Sequence, residues 1–393
     1  MRDDVFPTKR LGDVLLFRNG KSVTPGGIGK YPVFGSNGLI GRNDKHTDEN
    51  AIILGRVGAH CGSIIYCQSK FWASDNTIVA YPKTAKYDVR FLSYLLRELK
   101  LNRWAGGAAQ PLLTQTVLKQ VEARIPDLST QQKIASMLSA YDDLIENNLR
   151  RIKILEEMAR AIYQEWFVYF RFPGHENIRM INSSIGPVPE GWSVMKVTEA
   201  VSVNPQTVVP KQGKKPFVPM SSLANDSMLI EGIQYRAGNN GSKFRNGDTL
   251  FARITPCLEN GKTGFVQFLQ SEHGTAFGST EFIVLRTKSL CPEYVYLMAR
   301  SDAFRDHAIK SMSGATGRQR VQEACFERFL IAHPDKQTTE AFHATVSPIF
   351  KSLHLLACKN ATLRQTRDLL LPKLISGEVD VSELNINEGN AVI

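Results

Sequence analysis

The 393-residue sequence predicts an α+β fold. Two β-rich heads are each followed by a long helix, and the two helices pair antiparallel as a coiled coil in a pseudo-two-fold internal repeat. Three observations predict it. Heptad-spaced apolar residues occur in two long runs about 208 residues apart. Pro126-Asp127 precedes the first run and Pro334-Asp335 the second. Upstream, Ser74-Asp75-Asn76-Thr77-Ile78-Val79 is echoed by Ser279-Thr280-Glu281-Phe282-Ile283-Val284 at an offset of 205. The expected order is a first head over 1–129, a helix over 130–171, a second head over 172–337, a helix over 338–376 and a tail over 377–393. Two similar heads on one frame suit a protein that reads two things at once.

The first head is punctuated by short strands. Tyr31-Pro32-Val33-Phe34 leads into the turn Gly35-Ser36-Asn37-Gly38, and Ala51-Ile52-Ile53-Leu54 is an apolar strand ending at Gly55. Residues 62–66 and 77–81 have the β-branched and aromatic character of strands. Phe91, Leu95 and Leu99 share one face of a helix over Arg90–Leu101. The second head repeats the style, with strands over Asp248–Ala252 and Gly264–Phe268 and a helix from Pro292 to Ala308.

The first long helix carries Ile134, Leu138, Tyr141, Ile145, Asn148, Ile152, Leu155, Ala159, Ile162 and Trp166 at alternating steps of four and three. The second carries Phe342, Val346, Ile349, Leu353, Leu356, Asn360, Leu363, Arg367, Leu370 and Leu374. That is the spacing of a coiled-coil seam. About 40 residues of helix make a rod of roughly 60 Å. Ser129 with Gln132 fits a capping box at the first start, and Phe172-Pro173-Gly174 fits a stop. Pro348 and Pro372 are expected to kink or fray the second helix. If the rods pair antiparallel about their middles, Asn148 falls opposite Asn360, and the two polar seam residues meet.

Hydrophobic residues make up 42% of the chain, which excludes a disordered protein. No apolar run reaches the roughly 18 residues of a membrane span, and no apolar stretch follows Met1-Arg2-Asp3-Asp4 as in a signal peptide. Six cysteines without CxxC pairing fit a reducing, cytoplasmic setting. The net charge is +10. It lies mostly in the heads: 1–129 carries +7 and 172–337 carries +4, while the first rod is neutral, the second +3 and the tail −4. Basic heads point to a polyanionic partner.

Motifs for chemistry are missing. Gly20-Lys21-Ser22 and Gly261-Lys262-Thr263 lack the earlier glycine of a phosphate-binding loop, with Leu15 and Pro256 in its place. His60, Cys61 and Cys67 match no zinc spacing, so no metal site is expected. No Asn or Asp precedes Pro-Pro-Tyr or Pro-Pro-Phe, and no paired-carboxylate nuclease signature with a following lysine occurs. The heads offer hydrogen-bond donors on loops instead. Asn37, Arg42, Arg56, His60, Asn76, Arg103 and Gln110 do so in the first head. Arg236, Lys243, Arg245, Arg253, Lys262, Arg318, Gln319 and Arg320 do so in the second. Arginine and the carboxamides make the bidentate contacts that separate guanine from adenine in the major groove, and lysines hold phosphates.

Four stretches carry a resemblance to a known family. They are Tyr31-Pro32-Val33-Phe34-Gly35-Ser36-Asn37-Gly38; Ile53-Leu54-Gly55-Arg56-Val57-Gly58 with Ser74-Asp75-Asn76; Ile125-Pro126-Asp127 with Gln131-Gln132-Lys133-Ile134-Ala135 and on to Tyr163-Gln164-Glu165-Trp166-Phe167; and Leu371-Pro372-Lys373-Leu374-Ile375-Ser376-Gly377-Glu378. These resemble the DNA-specificity subunits of type I restriction–modification systems, over nearly the whole chain. The second helix start, Asp335-Lys336-Gln337-Thr338-Thr339-Glu340, departs from the pattern in lacking the Gln-Gln pair. The resemblance implies two target-recognition domains and a non-catalytic subunit that binds double-stranded DNA at a bipartite, asymmetric target. It implies two methyltransferase subunits as partners, with restriction subunits in a cleaving assembly. S-adenosylmethionine, ATP and magnesium would then be bound by those partners and not by this chain. A nucleic-acid hydrolase with an unrecognised site and a DNA-independent coiled-coil scaffold are the other classes open to the residues alone.

Overall fold

The computed structural model describes residues 6–24, 28–107, 110–270, 274–315 and 317–384. It divides into two compact units, residues 1–146 with 361–393 and residues 147–360, so that each long helix contributes to both.

The first unit runs β1 (Thr8–Arg10), α1 (Leu11–Val14), β2 (Leu15–Asn19), β3 (Tyr31–Gly35), β4 (Gly38–Asn43), β5 (Ala51–Gly55), β6 (Ile64–Cys67), β7 (Trp72–Ala73), β8 (Thr77–Pro82), α2 (Val89–Glu98), α3 (Gln115–Gln120) and β9 (Glu122–Arg124). Its four-stranded antiparallel sheet has the order β2-β8-β5-β6. A smaller sheet β4-β3-β7 pairs β3 with β7 in parallel, and β1 pairs with β9. Every residue of β5 is buried. Ile52 and Leu54 face one core with Phe91 and Leu95 of α2, while Ala51 and Ile53 face a second with Phe71 and Val79. An unbroken apolar run is what a strand covered on both faces needs.

The second unit runs β10 (Met180–Ser183), β11 (Gly186–Pro189), β12 (Ser193–Lys196), α5 (Val197–Ala200), β13 (Val201–Val203), β14 (Lys215–Val218), β15 (Gln234–Arg236), β16 (Ser242–Arg245), β17 (Thr249–Ala252), β18 (Thr263–Phe265), β19 (Thr275–Gly278), β20 (Phe282–Thr287), α6 (Pro292–Arg300), α7 (Asp302–Lys310) and β21 (Leu330–His333). Its main sheet has the order β13-β20-β17-β18, strand for strand that of the first unit. The second sheet, β15-β14-β19-β16, again pairs its first strand in parallel with one just before the last long strand. β12 and β21 pair as β1 and β9 do. The echo at offset 205 is one structural position: Thr77 N donates to Ser74 O and Phe282 N to Ser279 O, each opening the equivalent strand. The repeat is thus a repeat of fold.

Several expected elements differ: the helix expected over Arg90–Leu101 is α2, Val89–Glu98, closed by Lys100 in the left-handed region, and the strand expected over 62–66 is β6, Ile64–Cys67. The helix expected over Pro292–Ala308 is two helices, because Ser301 adopts extended backbone angles and its Oγ accepts from Phe304 N as the cap of α7. The strand expected to Phe268 stops at Phe265.

The long helices are α4 (Leu128–Tyr163), prolonged by a π-turn over Gln164–Val168, and α8 (Lys336–Ser376). Both start on an aspartate. Asp127 Oδ1 accepts from Thr130 N at 3.1 Å, with Thr130 Oγ1 bonded to Oδ2 at 2.9 Å. Asp335 and Thr338 repeat this at 2.8 and 2.9 Å. The cap is therefore Asp127 and not Ser129, and those bonds to Thr130 hold its carboxyl below the usual carboxylate range. Gln131 is buried and ties the helix to the start of α2, donating to Pro126 O and accepting from Asp88 N. α8 continues as helix through Pro348 and Pro372, both of which face solvent.

All twenty seam positions are buried or half-buried. In the first unit Ile134 and Leu138 share a core with Leu374 and Ile375, and Arg367 is held by Asp142 at 2.5 Å. In the second unit Trp166 meets Phe342, with ring centroids 5.6 Å apart, and Ile152 shares the core with Leu353 and Leu356. Within each unit the numbering of one helix rises as that of its partner falls, so the pairing is antiparallel. Asn148 Nδ2 donates to Asn360 Oδ1 at 2.8 Å, with both residues buried. Among the described residues no helix is long and apolar enough to cross a membrane.

Candidate nucleic-acid interface

In each head one end of the central strand gathers loops that are far apart in sequence. At the end of β5, Arg56 N donates to Asn76 O at 3.1 Å and Arg56 O accepts from Leu113 N at 2.8 Å. Gly58 N donates to Pro111 O, Ser36 Oγ to Asn76 O, and Ser63 Oγ to Ser36 O. Gly62 packs so closely on the next loop that a Cβ there would lie 2.4 Å from Asn102 N, and its φ of +85° also favours glycine. Asn37, Arg56, His60, Asn76 and Gln110 thereby share one loop cluster, with Arg103 beside it. All but Arg56 are exposed. Arg56 is half-buried, and its Nε has no hydrogen-bond partner among the described residues.

The second head repeats the backbone hydrogen bonds of this arrangement. Arg253 N donates to Glu281 O at 3.0 Å, Arg253 O accepts from Val321 N at 2.8 Å, and Thr255 N donates to Gln319 O at 3.1 Å. Arg253 Nε is also buried without a partner among the described residues. Arg253, Arg318, Gln319 and Arg320 share this cluster. Arg253 is braced by Glu323 at 3.1 Å, and Arg320 by Glu281. Glu281 is the residue that the sequence reading misses. The signal for it was the offset of 205, which aligns it with Asn76.

The remaining candidates lie elsewhere. Arg42, on β4, donates to the carbonyls of Gly29 and Lys30 at 2.6 Å each and thereby braces the preceding loop. Lys262 donates to the carbonyls of Met220 and Leu223 at 3.2 and 2.7 Å, inside its own head. Arg236 lies over the Phe217 ring, 4.2 Å from its centroid, beside a cleft that Phe277 and Asn239 also line. Lys243 and Arg245 stand on β16, half-buried and exposed respectively.

Among the described residues, Cys291, Glu293 and His343 bring possible metal-ligand atoms within 4.8 Å of one another. His343 Nδ1 already bonds Glu293 at 2.8 Å, tying α8 to α6. Burial pushes the Cys291 thiol up to about 12.

Comparison with known proteins gives a consistent picture. The family model described as the type I restriction modification DNA specificity domain matches residues 5–157. The chain is similar to the type I restriction enzyme MjaIX specificity subunit of Methanocaldococcus jannaschii, at 25% identity over 312 residues, covering 75% of this chain and 70% of that protein. It is also similar to the MjaVIII specificity subunit of the same organism, at 20% identity over 403 residues, covering 96% and 93%. The EcoAI specificity subunit of Escherichia coli is 31% identical over 160 residues, 39% of this chain and 27% of that one. Among solved structures, the S subunit of a type I restriction–modification system from M. genitalium aligns over 95% of this chain and 97% of its own, at 15% identity and a TM-score of 0.61, a likeness of fold.

Proposed function

We propose, from the premise that this chain belongs to the family of type I restriction–modification DNA-specificity subunits, that it recognises a bipartite, asymmetric DNA target and positions methyltransferase subunits on it. Its role is recognition and not catalysis. Each head reads one short half-site through the loop cluster at the end of its central strand, and the bases between the half-sites are unspecified. The observation that carries this reading is the pair of clusters. The two heads share a strand order and a backbone hydrogen-bond pattern, yet present Asn37, His60, Asn76 and Gln110 in one and Glu281, Arg318, Gln319 and Arg320 in the other. Shared scaffolds with different loop chemistry fit two different half-sites.

The net charge of +10 supplies the sequence-independent part of binding. Two methyltransferase subunits are the expected partners, in the cytoplasm, and restriction subunits join in an assembly that cleaves. S-adenosylmethionine, ATP and magnesium belong to those partners. The test is to express the chain with its methyltransferase partner and recover the methylated motif by long-read sequencing. Two short, unlike half-sites separated by unspecified bases are expected. A continuous or perfectly palindromic motif is incompatible with the reading.

A further inference from the structure

Glu281 and Arg320 form a bidentate pair in the second cluster. Arg320 Nε donates to both carboxylate oxygens at 2.9 and 3.1 Å, and Nη2 donates to Oε1 at 2.7 Å. The carboxylate occupies the side edge of the guanidinium. The end of the fork, Nη1 and the outer hydrogen of Nη2, is not engaged by it. The Arg320 side chain is 45% exposed and that of Glu281 23%. A pair this exposed adds little stability. Its hydrogen bonds from Arg320 keep Glu281 below the usual carboxylate range, so the brace is charged at neutral pH.

The first head shows that the fold does not need this pair. Arg320 bridges Ile254 and Ser313, as Leu112 bridges Val57 and Gly106. Glu281 O accepts from Arg253 N, as Asn76 O does from Arg56 N. At the same two places, therefore, one head carries a neutral Asn76–Leu112 and the other a charged Glu281–Arg320. Both positions change together while the backbone hydrogen bonds stay the same. That is the behaviour expected of a replaceable reading element on a constant scaffold.

We infer that Arg320 reads a guanine in the half-site of the second head, with Glu281 as the positioning residue that aims the end of its guanidinium at O6 and N7. Guanine offers two acceptors at the spacing of that fork, and no other base edge in the major groove does. A guanidinium already held by a carboxylate loses less rotamer freedom on binding than a loose one. The inference rests on the proposed DNA-reading function and names the residues that carry part of its specificity.

The experiment uses the full chain with its methyltransferase partner. It combines the recovered methylation motif with binding to the target, and to its single-base variants, at two salt concentrations. Arg320→Ala is expected to relax one guanine position by roughly 5- to 150-fold and to leave the other half-site unchanged. Glu281→Gln is expected to weaken preference at that same position, by less, because one acceptor oxygen remains. The double substitution Glu281→Asn with Arg320→Leu takes its residues from the first head, whose backbone accommodates them, so its loss of guanine preference is read in a folded protein. An unchanged motif in Arg320→Ala overturns the inference, and so does a loss uniform over all sequences with a shallower salt slope, the mark of a phosphate contact. An effect of Glu281→Gln at a different position removes its positioning role. If the unsubstituted chain yields no methylation motif and no DNA binding, the DNA-reading function itself fails, a result separate from these.

Discussion

Asp248, whose side chain is 1% exposed, takes two hydrogen bonds of 2.7 Å from Arg286 and one of 2.8 Å from Arg245 N. Arg286 Nη2 reaches on to Thr207 Oγ1 at 2.8 Å. The first head answers with buried Asp48, bonded to Arg18 and to Tyr81, whose hydroxyl is pushed up to about 12 by burial and by the bond to Asp48. Each aspartate lies just ahead of the central strand, at the end away from the loop cluster. A buried carboxylate is tolerated only when its charge is met. Asp248→Asn leaves the Arg286 guanidinium largely buried without its counter-charge. Removing one partner of a buried pair costs about 3–5 kcal/mol. The midpoint of urea unfolding should fall accordingly, with an unchanged slope. A loss below about 1 kcal/mol would show that water meets the charge instead.

At the scale of the element, the seam of α4 and α8 is apolar except at a few places, and polar partners meet polar partners there. Arg367 finds Asp142, which also accepts from Tyr94 at 2.5 Å. Asn148 finds Asn360. A buried asparagine pair costs stability relative to leucine and fixes register, because any slip sets an amide against hydrocarbon. Asn148→Leu takes a hydrogen bond from Asn360 and should destabilise by roughly 1–3 kcal/mol. Asn148→Leu with Asn360→Leu should recover that loss or exceed the parent in stability. A double-mutant cycle read by thermal unfolding separates the two outcomes. Additive effects of the two substitutions would mean that the amides do not act as a pair.

On the scale of the whole molecule, two heads with one strand order and two sets of loop residues would, under the proposed function, make a modular reader. Replacing residues 1–129 by the corresponding domain of a relative should therefore alter one half-site in the recovered methylation motif and leave the other intact. A change in both halves would mean that the heads read jointly and would defeat the modular description. The unlike charges of the two clusters also bear on this. The second carries three arginines beside Glu281, whereas the first relies on carboxamides, His60 and Arg56, so the two half-sites should differ in base composition as well as in sequence.

What the sequence by itself determined is what depends on neighbours along the chain. Heptad period shows which residues of α4 and α8 turn inward, because 3.6 residues per turn is a local property, and all twenty of those positions are covered. The repeat offset places Ser74 and Ser279 at the same turn for the same reason. Even local signals compete: Ser129 and Asp127 are both good caps, and the backbone after Pro126 hands the position to Asp127. The tertiary structure alone decided which loops converge. The sheet orders β2-β8-β5-β6 and β13-β20-β17-β18 are not sequential, so residues 37, 56, 76 and 110 meet only when the strands between them are paired. The same pairing turns Arg42 and Lys262 onto loop carbonyls and gives Arg320 a carboxylate that no charge count in a basic head would bring forward. A side chain's donors reveal what it can bind, but only its neighbours in space decide which of those donors are already taken.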